Sequence, residues 1–368
     1  MIRIERRLAQ PRWLTVAVPL GSLVVAFGVM TLVLLATGHA PGHTFSRLID
    51  TGFGSKAALN ETLISATPLL FTGLCAAVAF RMQLFNIGGE GQLYAGAILG
   101  AGAGIALGNH TGWLSVPAMV VAGAVGGAAL ALVPGILRAF FSTNEIITSL
   151  MLNYVGALVV NYLIFDSESY WRDTSSATAK VFPQGKNLPD AASWPVAHSA
   201  GLYVPFGLLL GVVLAAVIWL LYTRTRFGFE VQVIGDSPRA ATYAGMRTRR
   251  KILAVMALSG AIAGIGGASQ DGDFRHTLDP RGLTAAGYGY AGIVIAALAR
   301  YNPFAVCLIS FLLGGLQNAG FALQGADFPS GLVGVMQGVI LFCVLGGEVL
   351  TRYRVRFSRT ARRSEATA

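Results

Sequence analysis

Three polar residues, Asn86, Glu90 and Gln92, interrupt an apolar and glycine-rich part of the sequence. If the chain enters a membrane at Arg81, Glu90 lies about 13 Å further along a helical path. At that depth a charge costs about 3 kcal/mol or more, so such a residue usually faces protein or water. Two interpretations stay open. The three side chains line or gate the pathway of a polar solute, or they brace neighbouring helices through hydrogen bonds.

Neutral amide side chains also lie inside later apolar segments, at Asn153, Gln317 and Asn318. An amide offers both donors and an acceptor, so it can hold the hydroxyl groups or a base edge of a polar solute. Each amide taken alone is more often a hydrogen-bonding link between helices. We count these three residues, together with the first three, as candidate residues of a solute pathway.

Other kinds of chemistry lack the residues that they need. The sequence contains no G-x-x-x-x-G-K-[ST] motif, so the chain cannot hydrolyse ATP by itself. The five histidines fall in connectors and the three cysteines in apolar runs, without ligand-like spacing, so we predict no metal site. No nucleophile and base cluster as an intramembrane enzyme requires, so we predict no catalytic residue and no cofactor bound by this chain.

The composition places these residues in a membrane protein. Of the 368 residues, 54% are hydrophobic and only 12% are charged, and the mean hydropathy is +0.62. A bilayer core about 30 Å thick needs roughly 20 apolar residues in a helix, and such segments recur along the chain. We therefore predict an all-α membrane protein with about ten transmembrane helices in one transmembrane domain, residues 1–368. The predicted spans are 13–36, 57–80, 84–108, 114–138, 145–165, 201–223, 252–270, 284–299, 303–324 and 331–350.

The basic residues orient this protein. Most of the 27 Lys and Arg residues fall in alternate connectors and in the two tails, as the positive-inside rule expects of cytoplasmic segments. Both termini are therefore predicted to be cytoplasmic. The formal net charge of +10 follows from this pattern, so it indicates membrane lipid rather than nucleic acid as the surrounding partner.

The longest connector predicted on the outer side is the extracytoplasmic loop 166–200. It mixes acidic residues, prolines and tryptophans, which suit a cap or a docking surface at the membrane interface. Glycines repeat at intervals of four residues in several spans, for example at Gly123 and Gly127, and this spacing lets helix backbones approach closely. Glycine-rich spans occur in both halves of the chain, which leaves an inverted repeat open.

The largest connector predicted on the inner side, residues 224–251, contains a short capped helix. Ser237 can cap its start, Pro238 suits the first helical position, and Gly245 can end it in a left-handed conformation. About two turns of helix would then project into the cytoplasm. They could dock a soluble partner, or the segment could be an ordinary basic loop that only sets the topology.

Several sequence motifs, in this order, resemble the permease subunits of bacterial ABC importers for simple sugars and nucleosides. Over residues 80–350 the matching motifs are Phe85–Gln92, Asn144–Ile147, Met151–Tyr154, Gly235–Gly245, Ser259–Gly264, Gly289–Ile293 and Arg300–Pro303. The first of them is the most specific, and it looks like the motif of the nucleoside branch. Ala299 departs from the pattern, because a glycine is expected before the basic residue. The loop 166–200 carries no matching motif.

The resemblance implies a permease domain of a heteromeric importer in the bacterial inner membrane. Its expected partners are a second permease, a cytoplasmic ATPase that uses ATP, and an extracytoplasmic solute-binding protein. The expected function is inward transport of nucleosides by alternating access, with simple sugars as the alternative and a gradient-driven transporter as a rival. The resemblance also implies that the short inner helix is the coupling helix seated in the ATPase, with contacts at Asp236, Ser237, Pro238, Arg239, Ala240, Ala241 and Gly245.

Overall fold

The structure is a computed structural model that describes residues 2–6, 12–108, 112–175, 179, 181–199, 201–324 and 331–357. The chain divides into two compact units. Unit 1 comprises Met1–Thr44 and Gly331–Ala368, and unit 2 comprises Phe45–Ser330. The single permease domain over residues 1–368 stays a prediction.

Unit 1 joins the two ends of the described chain. Helices α1 (Arg12–Ala36) and α14 (Leu332–Arg352) pack against each other. Strand β1 (Ile2–Arg6) pairs antiparallel with strand β4 (Tyr353–Phe357). The two ends of unit 1 are thus joined by backbone hydrogen bonds.

Unit 2 is built almost entirely from helices, of which α2 begins in unit 1. The helices are α2 (Pro41–Phe53), α3 (Lys56–Phe80), α4 (Gly89–Leu107), α5 (Gly112–Phe141), α6 (Glu145–Asn161), α7 (Phe206–Arg224), α8 (Arg226–Asp236), α9 (Pro238–Tyr243), α10 (Thr248–Ser269), α11 (Pro280–Ala286), α12 (Tyr288–Leu298) and α13 (Pro303–Ala322). Short π-helical segments, Tyr162–Asp166 and Gln270–Arg275, extend α6 and α10. A hairpin of β2 (Val196–Ser199) and β3 (Leu202–Pro205) precedes α7.

Six helices within the described ranges are long and apolar enough to cross a membrane. They are Lys56–Phe80, Gly112–Phe141, Glu145–Asp166, Phe206–Arg224, Thr248–Arg275 and Pro303–Ala322, and a seventh is reached if the bent pair Gly21–Ala36 and Pro41–Phe53 counts as one span. The chain is thus a mostly helical protein with several membrane spans. The prediction of about ten spans is not confirmed, and neither is the orientation of the termini.

Three predicted spans differ from the helices that form. The segment predicted at 201–223 begins with strand β3 and becomes helical only at Phe206. The segment predicted at 84–108 becomes helical only at Gly89, because the chain from Gln83 to Gly88 takes a turn outside the helix. The segment predicted at 284–299 is divided by Gly287, whose φ of +61° ends α11 and begins α12. Glycine tolerates this left-handed conformation without a steric penalty.

Close backbone contacts hold α4, α5 and α10 together at the centre of unit 2. A Cβ atom added at Gly127 of α5 would lie only 2.7 Å from the Gly264 nitrogen and 2.8 Å from the Gly264 Cα. Likewise, a Cβ at Gly100 of α4 would lie 2.7 Å from the Ala268 Cβ. These helices therefore meet where side chains are absent, and the predicted packing role of these glycines is confirmed.

Connectors predicted on opposite sides of the membrane lie at opposite ends of α10. At its start, the Arg249 guanidinium lies 5.5 Å from the centre of the Phe140 ring, in another connector predicted to be inside. Beyond its end, the Leu188 N–H of the loop 166–200 donates to the His276 carbonyl at 2.8 Å. Which of these two ends faces the cytoplasm stays a prediction.

Gly127→Ala is expected to destabilise the packing of α5 on α10, because the new methyl group would overlap the backbone at Gly264. Overpacking of this kind costs about 1–3 kcal/mol. The matched control is Gly28→Ala in α1, where no atom of the described residues lies within 4 Å of an added Cβ. Thermal unfolding of the purified protein measures the effect. Equal unfolding midpoints for the two variants would show that the contact tolerates a side chain.

Candidate functional site

Asn86 and Gln92 form a reciprocal amide pair at the start of α4. Asn86 Nδ2 donates to Gln92 Oε1 at 2.9 Å, and Gln92 Nε2 donates to Asn86 Oδ1 at 2.8 Å. Asn86 Nδ2 also lies 2.9 Å from Ser259 Oγ on α10, which in turn donates to the Cys75 carbonyl on α3 at 2.8 Å. Both amide side chains are 1% exposed. The pair therefore links the turn before α4 to two other helices.

Helix α6 holds the other side of the same turn. Asn153 Nδ2 donates to the Ile87 carbonyl, and Asn153 Oδ1 accepts the Gly91 N–H, each at 2.8 Å. Ser149 Oγ accepts the Ile87 N–H at 3.1 Å. Buried backbone groups that leave a helix need such partners, because an unpaired amide or carbonyl is costly away from water. The α6 side chains thus stabilise the break between α3 and α4.

Glu90 joins the starts of two helices. Its Oε1 accepts the Tyr94 hydroxyl at 2.6 Å, and its Oε2 accepts the backbone N–H of Gly289 in the first turn of α12. Glu90 itself lies in the first turn of α4 and is 2% exposed. The free amides of a first helical turn carry partial positive charge, which favours a carboxylate there. The carboxylate of Glu90 therefore lies between two positive helix ends.

Glycine is needed where these two helix starts meet. A Cβ added at Gly289 would lie 2.6 Å from the Cα and 2.8 Å from the Cβ of Glu90. On the other side of α4, a Cβ added at Gly91 would lie 2.8 Å from the Leu152 carbonyl oxygen of α6. Only residues without a side chain let the backbones approach this closely. The glycines of the motif position Glu90 by allowing these contacts.

Gln317 and Asn318 do not join this cluster. On α13, Gln317 Nε2 donates to the Ala286 carbonyl at 3.0 Å, and Gln317 Oε1 is buried without a protein partner among the described residues. Asn318 Nδ2 lies 3.3 Å from both the Ala58 carbonyl and Thr62 Oγ1 of α3. Four of the six predicted pathway residues thus lie together, and two lie elsewhere. In this conformation the hydrogen bonds of these side chains link neighbouring helices. The pathway role of all six residues stays a prediction.

The sequence interpretation missed a group of charged residues just beyond the predicted span 252–270. The π-helical segment that extends α10 carries Asp271, Asp273 and Arg275. Asp271 is fully buried, and Asp273 Oδ2 accepts the Gly207 N–H at 2.9 Å. Arg275 forms an ion pair with Asp279. A signal was present, because three charges within five residues directly follow an apolar run, but hydropathy ended the span before them.

The short inner helix forms as predicted at α9. The Ala240 N–H donates to Ser237 Oγ at 3.4 Å, and Gly245 ends the segment with a φ of +74°. Arg239 is exposed, whereas Ala241 is buried and anchors the helix. Tyr243 is 95% exposed. The helix therefore presents an arginine and a tyrosine outward, and its role as a coupling helix stays a prediction.

A groove of about 800 Å³ lies beside α9, between α8 and the start of α10. Its lining includes Arg226, Arg247 and Arg250, together with the apolar face of Phe229. Lys251 in the same lining forms an ion pair with Glu230 at 2.7 Å. The surface around α9 is thus basic and partly apolar. Among the described residues, no group of three His, Cys, Asp or Glu side chains is placed to hold a metal ion.

A helical protein with several membrane spans, broken helices in its core and a helix exposed at one end has the architecture of a transport permease. Residues 58–345 match the family described as branched-chain amino acid transport system / permease component, and the chain belongs to this family.

Relatives support the same assignment over nearly the whole chain. The chain is 31% identical to the glucose ABC transporter permease of Haloferax volcanii, covering 100% of this chain and 97% of the relative. It is 28% identical to the nucleoside ABC transporter permease NupB of Lactococcus lactis, covering 89% and 90%. It is 29% identical to the guanosine ABC transporter permease NupP of Bacillus subtilis, covering 92% and 94%. The resemblance to ABC permeases for simple sugars and nucleosides is confirmed, and these relatives are transport components rather than enzymes.

The variants Asn86→Ala and Gln92→Ala are each expected to lower the free energy of unfolding by about 1–3 kcal/mol, because each leaves buried amide groups without a partner. The double variant removes both partners together, so its cost should be clearly smaller than the sum of the two single costs. Unfolding of the purified protein measures all three.

Asn161→Ala is the matched control for this cycle. Asn161 Nδ2 donates to the Ala157 carbonyl of its own helix at 2.7 Å and is only half-buried. Its replacement should change the unfolding free energy by less than about 1 kcal/mol. If the losses of unfolding free energy in the two single variants add up to the loss in the double variant, the two amides do not act as a pair.

Proposed function

We propose that this chain is the permease subunit of an ABC importer that moves nucleosides into the cytoplasm. The observation that carries this proposal is the similarity, over 89% and 92% of the chain, to permeases of a nucleoside and a guanosine transporter from two organisms. The glucose permease relative, at 31% identity, supports a simple sugar as the alternative solute. Both kinds of solute are polar and carry several hydroxyl groups.

The energy for transport comes from a separate ATPase in this proposal. The sequence has no phosphate-binding motif of its own, so ATP hydrolysis must take place in another polypeptide. Helix α9 is the docking element, because it exposes Arg239 and Tyr243 next to a basic groove. Tyrosine and arginine are the residue types that most often dominate the energy of a protein interface.

Transport proceeds by alternating access between inward-open and outward-open states. The starts of α4 and α12 meet at Glu90 without an interlocking layer of side chains, which supports a role for this junction as a hinge or gate. Asn86, Gln92 and Asn153 keep the backbone around it hydrogen-bonded. A rearrangement here would expose these polar groups to the solute pathway.

A second permease subunit and an extracytoplasmic binding protein complete the importer. Lactococcus lactis has a second nucleoside permease, NupC, which is 25% identical to this chain, and this supports a heterodimer. The loop 166–200 is the docking surface that we assign to the binding protein, because it packs at the end of α10 opposite to α9. The complex lies in the bacterial inner membrane with both termini of this chain in the cytoplasm.

Uptake of radiolabelled uridine, guanosine, ribose and glucose by cells with and without the gene tests the proposal, with the neighbouring ATPase and binding protein present. We expect ATP-dependent nucleoside uptake that is lost on deletion and inhibited by vanadate. If deletion abolished only sugar uptake, the protein would be a simple-sugar permease instead. Uptake that resists vanadate and collapses with the proton gradient would overturn the ABC assignment in favour of a gradient-driven transporter.

Arg239→Glu and Tyr243→Ala are each expected to weaken association with the ATPase roughly tenfold or more, because each removes an exposed contact of α9. Co-purification of the ATPase with the tagged permease measures the effect. The matched control is Arg47→Glu, an exposed arginine in a connector predicted on the outer side. Normal recovery of the ATPase with both α9 variants would contradict the docking role of this helix.

A further inference from the structure

Asp271 is a buried carboxylate for which the described protein supplies no hydrogen-bond donor. The residue is fully buried, and neither Oδ1 nor Oδ2 has a partner among the described residues. Nearly all buried polar groups in folded proteins are hydrogen-bonded, and a charged group gains most from such bonds. Its neighbour Asp273 has a partner at one oxygen, because Oδ2 accepts the Gly207 N–H, whereas Oδ1 lacks one among the described residues. Asp271 therefore needs an explanation other than helix bracing.

The backbone around Asp271 departs from the α-helix. Gln270–Arg275 forms a π-helical turn that continues α10, and it lies at the end of the helix Thr248–Arg275, which is long and apolar enough to cross a membrane. Such turns are rare and occur frequently at functional sites, because they change the direction of side chains within a helix. The segment ends at His276, whose φ of +52° is uncommon for a residue other than glycine. The local conformation thus singles out the same position as the unpartnered carboxylate.

The loop 166–200 covers this turn on the predicted outer side. The Trp194 N–H donates to the Gly272 carbonyl at 2.9 Å, and Ser193 Oγ lies 3.3 Å from His276 Nδ1. The Trp194 ring lies so close to Gly272 that an added Cβ there would be 2.7 Å from its Cε2 atom. Trp194 Nε1 is itself buried without a partner among the described residues. The unpartnered indole N–H thus lies against Gly272, the residue that follows Asp271.

A cavity of about 300 Å³ adjoins this region between the loop and the segment that follows the π-helical turn. Thr277, Asp279 and Arg281 line it on one side, and Gly185 lines it on the other. Asp279 also holds Arg275 in an ion pair. Asp279 thus lines the cavity and also contacts Arg275, which lies in the same segment as Asp271.

We propose that Asp271 accepts hydrogen bonds from two adjacent hydroxyl groups of the transported solute, at a site occluded here by Trp194. The inference rests on the proposed function, and it names the part of the solute that the permease recognises. A carboxylate presents two acceptor oxygens, which suit a pair of neighbouring hydroxyl donors. Adjacent hydroxyls are common to the ribose of nucleosides and to simple sugars.

Asp271→Asn tests the proposal in the complete transporter, reconstituted with its ATPase and binding protein in proteoliposomes. The probes are uridine against 2′-deoxyuridine and glucose against 2-deoxyglucose. For the pair that the wild type transports, we expect a preference for the full set of hydroxyls of roughly tenfold or more in kcat/KM. The variant should reduce this preference to about twofold or less. The binding protein is the same in both samples, so a change in the ratio reports on the permease.

Asp273→Asn is the matched control, because Asp273 is a carboxylate of the same turn that already has a backbone partner. It should alter the yield of folded protein but leave the ratio of the two solutes unchanged. An unchanged ratio in Asp271→Asn would overturn the inference and leave the proposed function intact. Failure of the wild type to transport any of these probes, and guanosine and ribose as well, would instead overturn the proposed function.

Labelling of the wild-type complex keeps the inference testable if Asp271→Asn does not fold. A water-soluble carbodiimide with glycine ethyl ester modifies exposed carboxylates, and mass spectrometry locates the product. We expect no modification of Asp271 at rest, modification during ATP turnover, and protection by saturating uridine or glucose, whichever is transported. Absence of modification during turnover, or modification that the solute does not reduce, would overturn the inference.

Discussion

The chain between α3 and α4 leaves the helix inside a protein core, and every other feature of the central site depends on how its backbone is hydrogen-bonded. In a membrane, a free amide or carbonyl has no water to replace the helical partner. Asn153 and Ser149 of α6 accept hydrogen bonds from the backbone N–H groups of Gly91 and Ile87. Asn86 Oδ1 accepts the N–H of Gly88 at 3.1 Å. The polar side chains of this motif are thus the partners that make a broken helix stable.

Close helix packing makes this arrangement compact. Helices α4, α5 and α10 meet through glycines, so the distance between their axes is small and the short polar side chains can span it. Larger residues at these positions would separate the helices and break the contact from Asn86 to Ser259. Packing and hydrogen bonding are therefore coupled, and neither could be changed alone.

Much of this could be predicted from the sequence because the signals are local. Apolar runs predicted the membrane class, and the order Ser237, Pro238 and Gly245 predicted the ends of α9, since capping depends on neighbouring residues. The bounds of individual helices could not be predicted reliably, because hydropathy reports composition and not the point at which a backbone leaves the helix. Gly287 divides one predicted span for this reason. Asp271 was missed because the predicted span 252–270 was ended at the first charged residue that follows it.

Glu90 and its partner at Gly289 are separated by 199 residues, which has a consequence for how the protein is made. Ribosomes add about 5–20 residues per second, so roughly 10–40 seconds pass between the synthesis of the carboxylate and that of the amide. During this interval the Glu90 carboxylate lacks its partner at the start of α12, the Gly289 N–H. The carboxylate must then stay near water or lipid headgroups. The contact between α4 and α12 can therefore form only after the start of α12 has left the ribosome.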